Sequence, residues 1–114
     1  MKKQLKTKKL PPIHPGEILR ERLLIPRDIS PQELAIALKV PKEQVKWVCE
    51  ERADITPDLA ARLALYFDST VEFWLNLQRS YEEEVARERT ELLKEEIIPY
   101  KAKRGNSRYD VANH

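Results

Sequence analysis

Apolar residues recur along most of the chain at intervals of three and four, and no segment alternates with period two. That pattern predicts helices and no strands. His14-Pro15-Gly16-Glu17 opens the first helix, with Ile18, Leu19 and Leu23 as its apolar positions and Pro26 as its stop. Ser30-Pro31-Gln32-Glu33 is a capping box. In such a box the Ser30 hydroxyl accepts from the Glu33 N–H and the Glu33 carboxylate reaches back to the cap. The helix it starts directs Leu34, Ala37 and Leu38 inward and ends near Lys39. After a turn at Val40, Pro41 begins a third helix with Val45, Val48 and Cys49 at i, i+3 and i+4. Thr56-Pro57-Asp58 caps a fourth, striped by Leu59, Leu63, Tyr66 and Phe67. A second capping box from Ser69 to Glu72 opens a fifth helix carrying Phe73, Trp74, Leu77, Tyr81 and Val85. Phe73 and Leu77 are expected in the core, and Trp74 is left open. This last helix runs on past Glu88 toward Lys94, and Pro99 ends any continuation.

Proline punctuates the chain, with eight prolines against two glycines. At the first position of a helix it loses nothing, because that N–H has no partner inside the helix. The segments from Pro31 to Lys39 and from Pro41 to Glu51 are short and tightly linked, as a helix-turn-helix unit requires. In such a unit the first helix crosses the DNA backbone and the second lies in the major groove. Small residues belong where the two helices touch, and Ala35 and Ala37 are available.

Composition narrows the class. With 114 residues, 41% hydrophobic and 35% charged, the chain supports one core under a well-solvated surface. No apolar run is long enough to span a bilayer, and no apolar stretch follows the basic amino terminus as in a secretion signal. A single cysteine, Cys49, excludes an internal disulfide and fits a reducing compartment. A cytoplasmic protein is expected. The net charge of +2 is uneven. Lys2, Lys3, Lys6, Lys8 and Lys9 make the amino terminus basic. Lys101, Lys103, Arg104 and Arg108 outweigh Asp110 at the other end, and the stretch between is acidic. Basic tails suit phosphate contact or are simply solvated termini. An acidic body suits a basic protein partner.

Three stretches together resemble the HigA (VapI-type) antitoxins of the Cro/repressor-like helix-turn-helix superfamily. They are Ile13-His14-Pro15-Gly16-Glu17-Ile18-Leu19, the run from Asp54 to Ala64, and Val71-Glu72-Phe73-Trp74-Leu75-Asn76-Leu77-Gln78. Residues 30–52, between the first two, are similar to the superfamily's helix-turn-helix segment. The resemblance implies an all-α fold, a five-helix helix-turn-helix domain over 12–88. A basic arm over 1–11 and a C-terminal helix end and tail over 89–114 flank it. It further implies a homodimer that neutralises a HigB-like toxin, a RelE-like ribonuclease acting on messenger RNA, and that represses its own operon by binding operator DNA. A stand-alone transcriptional regulator, or an interaction module whose DNA binding has decayed, are the alternatives.

The DNA-facing segment departs from the family. Lys39 stands where the superfamily commonly has glycine at the link, and Glu50-Glu51 stand where members usually carry Asn-Gly. Glutamate at a left-handed stop is strained, and carboxylates repel phosphate. The residues expected to meet DNA are Gln32, Lys42, Glu43, Gln44, Lys46, Trp47 and Arg52. Lys42 and Gln44 suit base or phosphate contacts, and Glu43 could accept from cytosine. Trp47, facing away from the Val45/Val48/Cys49 stripe, is a groove contact, an interface anchor or a residue packed on a loop. Neither His14 nor Cys49 has partners at ligand or nucleophile spacing, so a hydrogen-bonded structural histidine and a core cysteine are expected. Glu82-Glu83-Glu84 reads as a solvated face or a contact for a basic toxin. No phosphate loop, paired-carboxylate cleft or nucleophile–base pair is visible. No enzyme activity, cofactor, metal, membrane contact or small-molecule ligand is expected.

Overall fold

The computed structural model describes residues 10–101. The basic arm from Lys2 to Lys9, the tail from Lys103 onward and His114 lie outside the described residues. Five helices and no strand occur among the described residues, in the order α1 (Pro15–Ile18, continued by a π-helical segment Leu19–Leu24), α2 (Pro31–Leu38), α3 (Lys42–Cys49), α4 (Pro57–Phe67) and α5 (Val71–Leu93).

The first helix is where the expected register fails. Its π turn is marked by the Ile25 N–H donating to the Arg20 carbonyl, 3.0 Å, five residues back. Bonds to i−5 widen the turn, so residues five apart share a face. Leu19 and Leu24 are therefore buried, while Ile18 and Leu23 are only half-buried.

In α2 the capping box is formed as read: Glu33 N–H to Ser30 Oγ at 3.0 Å, and Ser30 N–H to Glu33 Oε1 at 2.9 Å. Leu34, Ala35 and Leu38 face inward, and Ala37 is exposed. At about 100° per residue, Ala37 lies roughly a right angle from the mean direction of that stripe. Ala35 alone fills the close contact expected of the small residues. Pro41 sits at the N-cap of α3 rather than at its first helical position, and Val45, Val48 and Cys49 are buried as expected.

Thr56 caps α4 through Oγ1, which accepts from the Leu59 N–H at 3.1 Å. Leu59, Ala60, Leu63 and Ala64 are buried, Phe67 is half-buried, and Tyr66 stands outside the stripe with its ring edge-on to Phe67. The cap of α5 is Thr70, one residue later than the expected Ser69; Thr70 Oγ1 accepts from the Phe73 N–H at 3.1 Å. Ser69 Oγ instead accepts from the Trp74 indole N–H at 2.9 Å. The inward face also differs from the expected one: Trp74 is 0% exposed and fills the core, Phe73 is 43% exposed, and Leu77 is half-buried. The helix runs to Leu93 as expected. Beyond Tyr81 it leaves the core, so Val85 is exposed.

Four helices end alike. Asp28, Lys39, Glu51 and Asp68 all have positive φ, between 54 and 63°. In each case the following N–H reaches back five residues: Ile29 to Leu24, Val40 to Ala35, Arg52 to Trp47, Ser69 to Ala64. This is the Schellman closure, which normally places glycine at the left-handed position.

Candidate nucleic-acid interface

The first turn of α2 and the outer face of α3 enclose one shallow concave surface. Gln32 comes from α2; Lys42, Glu43, Lys46 and Glu50 come from α3 and its C-cap; Ser30 and Pro31 complete the lining. The structure therefore brings together Gln32, Lys42, Glu43 and Lys46. It does not bring all seven expected residues to one place. Gln44 is half-buried on the flank of α3. Trp47 is 45% exposed and lies a further step around the helix from Lys46, outside the concavity. Arg52 lies beyond the helix end.

Part of the charge at this surface is paired. Glu50, which the expected site did not include, accepts from two cations at once: Lys46 Nζ at 3.5 Å and Arg52 Nη1 at 3.2 Å. Glu51, held at φ 63°, meets Arg20 Nη2 at 3.4 Å. Arg20 also pairs with Glu21 at 3.0 Å and donates through Nη1 to the Cys49 carbonyl. It thus ties the π segment of α1 to the last turn of α3. Nothing in the hydrophobic pattern singles out Arg20, because Cys49 and Glu51 lie 29 and 31 residues away and meet it only through the fold.

Three further contacts fix the reading surface from behind. The carbonyl of Leu38, at the end of α2, accepts from Arg62 Nη1 at 2.9 Å, and Arg62 is itself held by Asp58 at 2.8 Å. Buried Gln78 accepts through Oε1 from the Ile55 N–H at 2.8 Å, anchoring the loop that follows α3. Buried His14 caps α1, its Nδ1 accepting from the Gly16 N–H at 2.8 Å, with Tyr81 edge-on at 4.8 Å. Burial holds the His14 pKa below its ordinary value, against the opposing pull of Glu51 and Asp54. Cys49 is a core residue whose thiol is pushed up to about 11 by burial. No cluster able to hold a metal occurs among the described residues, and none of their helices is long and apolar enough to cross a membrane.

No family model matches the sequence. Individual proteins do. The virulence-associated protein I of Dichelobacter nodosus is 42% identical over 79 residues, covering 69% of this chain and 73% of that protein. The Pseudomonas aeruginosa antitoxin HigA, solved with the higBA promoter, is 44% identical with a TM-score of 0.70, over 79% of this chain and 99% of that one. The chain belongs to the HigA antitoxin family. A further member, an addiction module antidote protein from Coxiella burnetii, aligns at 40% identity and a TM-score of 0.69, over 80% of this chain and all of that one. HigA membership accounts for the all-α helix-turn-helix fold and makes α2 and α3 its helix-turn-helix pair. The relatives are antitoxins and transcriptional regulators rather than enzymes.

Proposed function

We propose that this chain is the antitoxin of a HigBA-like pair, binding its own operator through α3 and neutralising a HigB-like, RelE-like toxin as a homodimer in the cytoplasm. The observation that carries the DNA-binding part is the joint surface of Gln32, Lys42, Glu43 and Lys46 across the α2–α3 pair, in a chain whose relatives were solved on promoter or operator DNA. Lys42 and Lys46 meet phosphate or guanine acceptors, Gln32 positions α2 at the backbone, and Glu43 accepts from a cytosine amine. Gln44 and Trp47 border that contact, and Arg52 reaches phosphate from beyond the helix. The antitoxin domain occupies 12–88, with 1–11 as a basic arm and 89–114 as the helix end and tail.

The deciding measurement is binding of the purified protein to DNA from immediately upstream of its gene, titrated with salt against an unrelated duplex. Tighter binding to the upstream DNA, weakening as salt rises, supports the reading. Equal and weak binding to both refutes the operator role. Co-purification with the product of an adjacent toxin gene tests the second role separately.

A further inference from the structure

Lys42 and Lys46 on the reading surface, and Arg52 beside it at the end of α3, accompany two carboxylates, Glu43 and Glu50. The pairing among them is unequal. Glu50 takes both Lys46 and Arg52, one on each carboxylate oxygen, at 3.5 and 3.2 Å. Lys42 makes no ion pair among the described residues. The neighbouring carboxylate, Glu51, is engaged elsewhere. Its partner Arg20 is fastened to Glu21 and to the Cys49 carbonyl, so that pair closes the end of α3.

A carboxylate holding two cations at this distance presents to them what a DNA phosphate would present, oxygen acceptors bearing negative charge. We propose that Glu50 is an internal competitor for phosphate, occupying Lys46 and Arg52 and lowering the affinity of α3 for any DNA backbone. The inference rests on the reading of α3 as the DNA-binding helix. Docking on DNA exchanges the Glu50 oxygens for phosphate oxygens, and Glu50 then remains as an uncompensated negative charge beside the backbone. With Glu50 neutral, the surface carries three cations against one carboxylate, so its net charge rises from one to two. The base-edge contacts of Lys42 and Glu43, nearer the start of α3, do not involve Glu50. With Lys46 and Arg52 meeting the backbone and the base edges left to Lys42 and Glu43, the effect falls equally on every sequence. The exposed pairs cost little to open in stability terms, because screened surface ion pairs contribute little to folding.

The experiment compares the full-length protein, Glu50→Gln and Glu83→Gln on upstream and unrelated duplexes across a salt series. Glu83 is exposed on the distal part of α5, so its variant makes the same change in net charge away from α3. One more phosphate neutralised adds about 0.9 to the slope of log affinity against log salt, which is about eightfold in affinity at roughly 0.1 M salt. The expected result is that gain on both duplexes for Glu50→Gln, with the preference between them unchanged, and no comparable gain for Glu83→Gln. The proposal is overturned by an unchanged slope, by an equal gain from Glu83→Gln, or by Glu50→Gln weakening upstream binding. The last outcome would make Glu50 an orienting residue for Lys46. Because the unrelated duplex reads the competitor directly, failure of operator preference in the unaltered protein is a separate result.

Discussion

The α-carbon of Gly16 rests against the carbonyl oxygen of Val48, so closely that a β-carbon built on Gly16 would fall 1.8 Å from that oxygen. The glycine of the His-Pro-Gly-Glu motif thus serves the contact between the first helix and the DNA-facing helix. Its φ is ordinary; what it provides is the absence of a side chain. Gly16→Ala should force α1 away from α3 and destabilise the protein by about 1–3 kcal/mol, the usual range for overpacking. Urea denaturation checks this, and unchanged stability would show that the helices separate freely.

The left-handed closures give a prediction of opposite sign. Lys39 and Glu51 hold φ values of 60 and 63° that L-residues adopt at a cost of roughly 1–2 kcal/mol. Glycine relieves that strain but loses more entropy on folding. Lys39→Gly should raise stability by about 0.5–1 kcal/mol, seen as a higher denaturation midpoint at constant slope, and Glu51→Gly by less, because it also removes the partner of Arg20. Destabilisation by Lys39→Gly would show that the closure carries no strain there.

Among the described residues, Gln78 alone accepts from the Ile55 N–H. Gln78→Leu removes the acceptor and leaves a buried donor unpaired, which costs about 1–3 kcal/mol. Because the loop it anchors follows α3, amide exchange at Ile55 should accelerate in the variant. Protection at the level of the parent would refute the anchoring role.

Acid should weaken the fold through His14. Burial lowers its pKa in the folded protein below the ordinary 6.5, so the unfolded chain takes up the proton first as pH falls. Stability from the neutral ring is complete above about pH 6.5 and declines below it. Protonation of Nδ1 would also remove the acceptor for the Gly16 N–H. In His14→Asn, whose side-chain oxygen caps without titrating, the decline below about pH 6.5 should flatten. An equal decline in both proteins would place the titrating group elsewhere.

Charge reversal probes α3 itself. Lys42→Glu combined with Lys46→Glu turns the reading surface acidic and should abolish upstream binding at moderate salt while leaving the melting temperature within a few degrees, since both side chains are exposed. Retained affinity would mean that another element meets the DNA.

Much of this protein follows from the chain alone. Helix number, the Ser30 and Thr56 caps, the buried stripe Val45/Val48/Cys49 and the helix-turn-helix pair were all legible, because periodicity and capping are local in sequence. The Lys39 and Glu51 departures were legible only against the pattern of the family that the sequence resembles. Tertiary structure decided what periodicity cannot resolve. A π turn moved burial from Leu23 to Leu24, and the packing of α5 against the core placed Trp74 inward and Phe73 out. Small changes of helical phase, invisible in a pattern of threes and fours, choose which neighbour reaches the core. The pairing of Glu50 with Lys46 and Arg52, of Arg20 with Glu51, and the contact of Gly16 with Val48 depend on where whole helices lie. Sequence shows that such charges and a glycine exist; only the packed helices decide which partner each one meets.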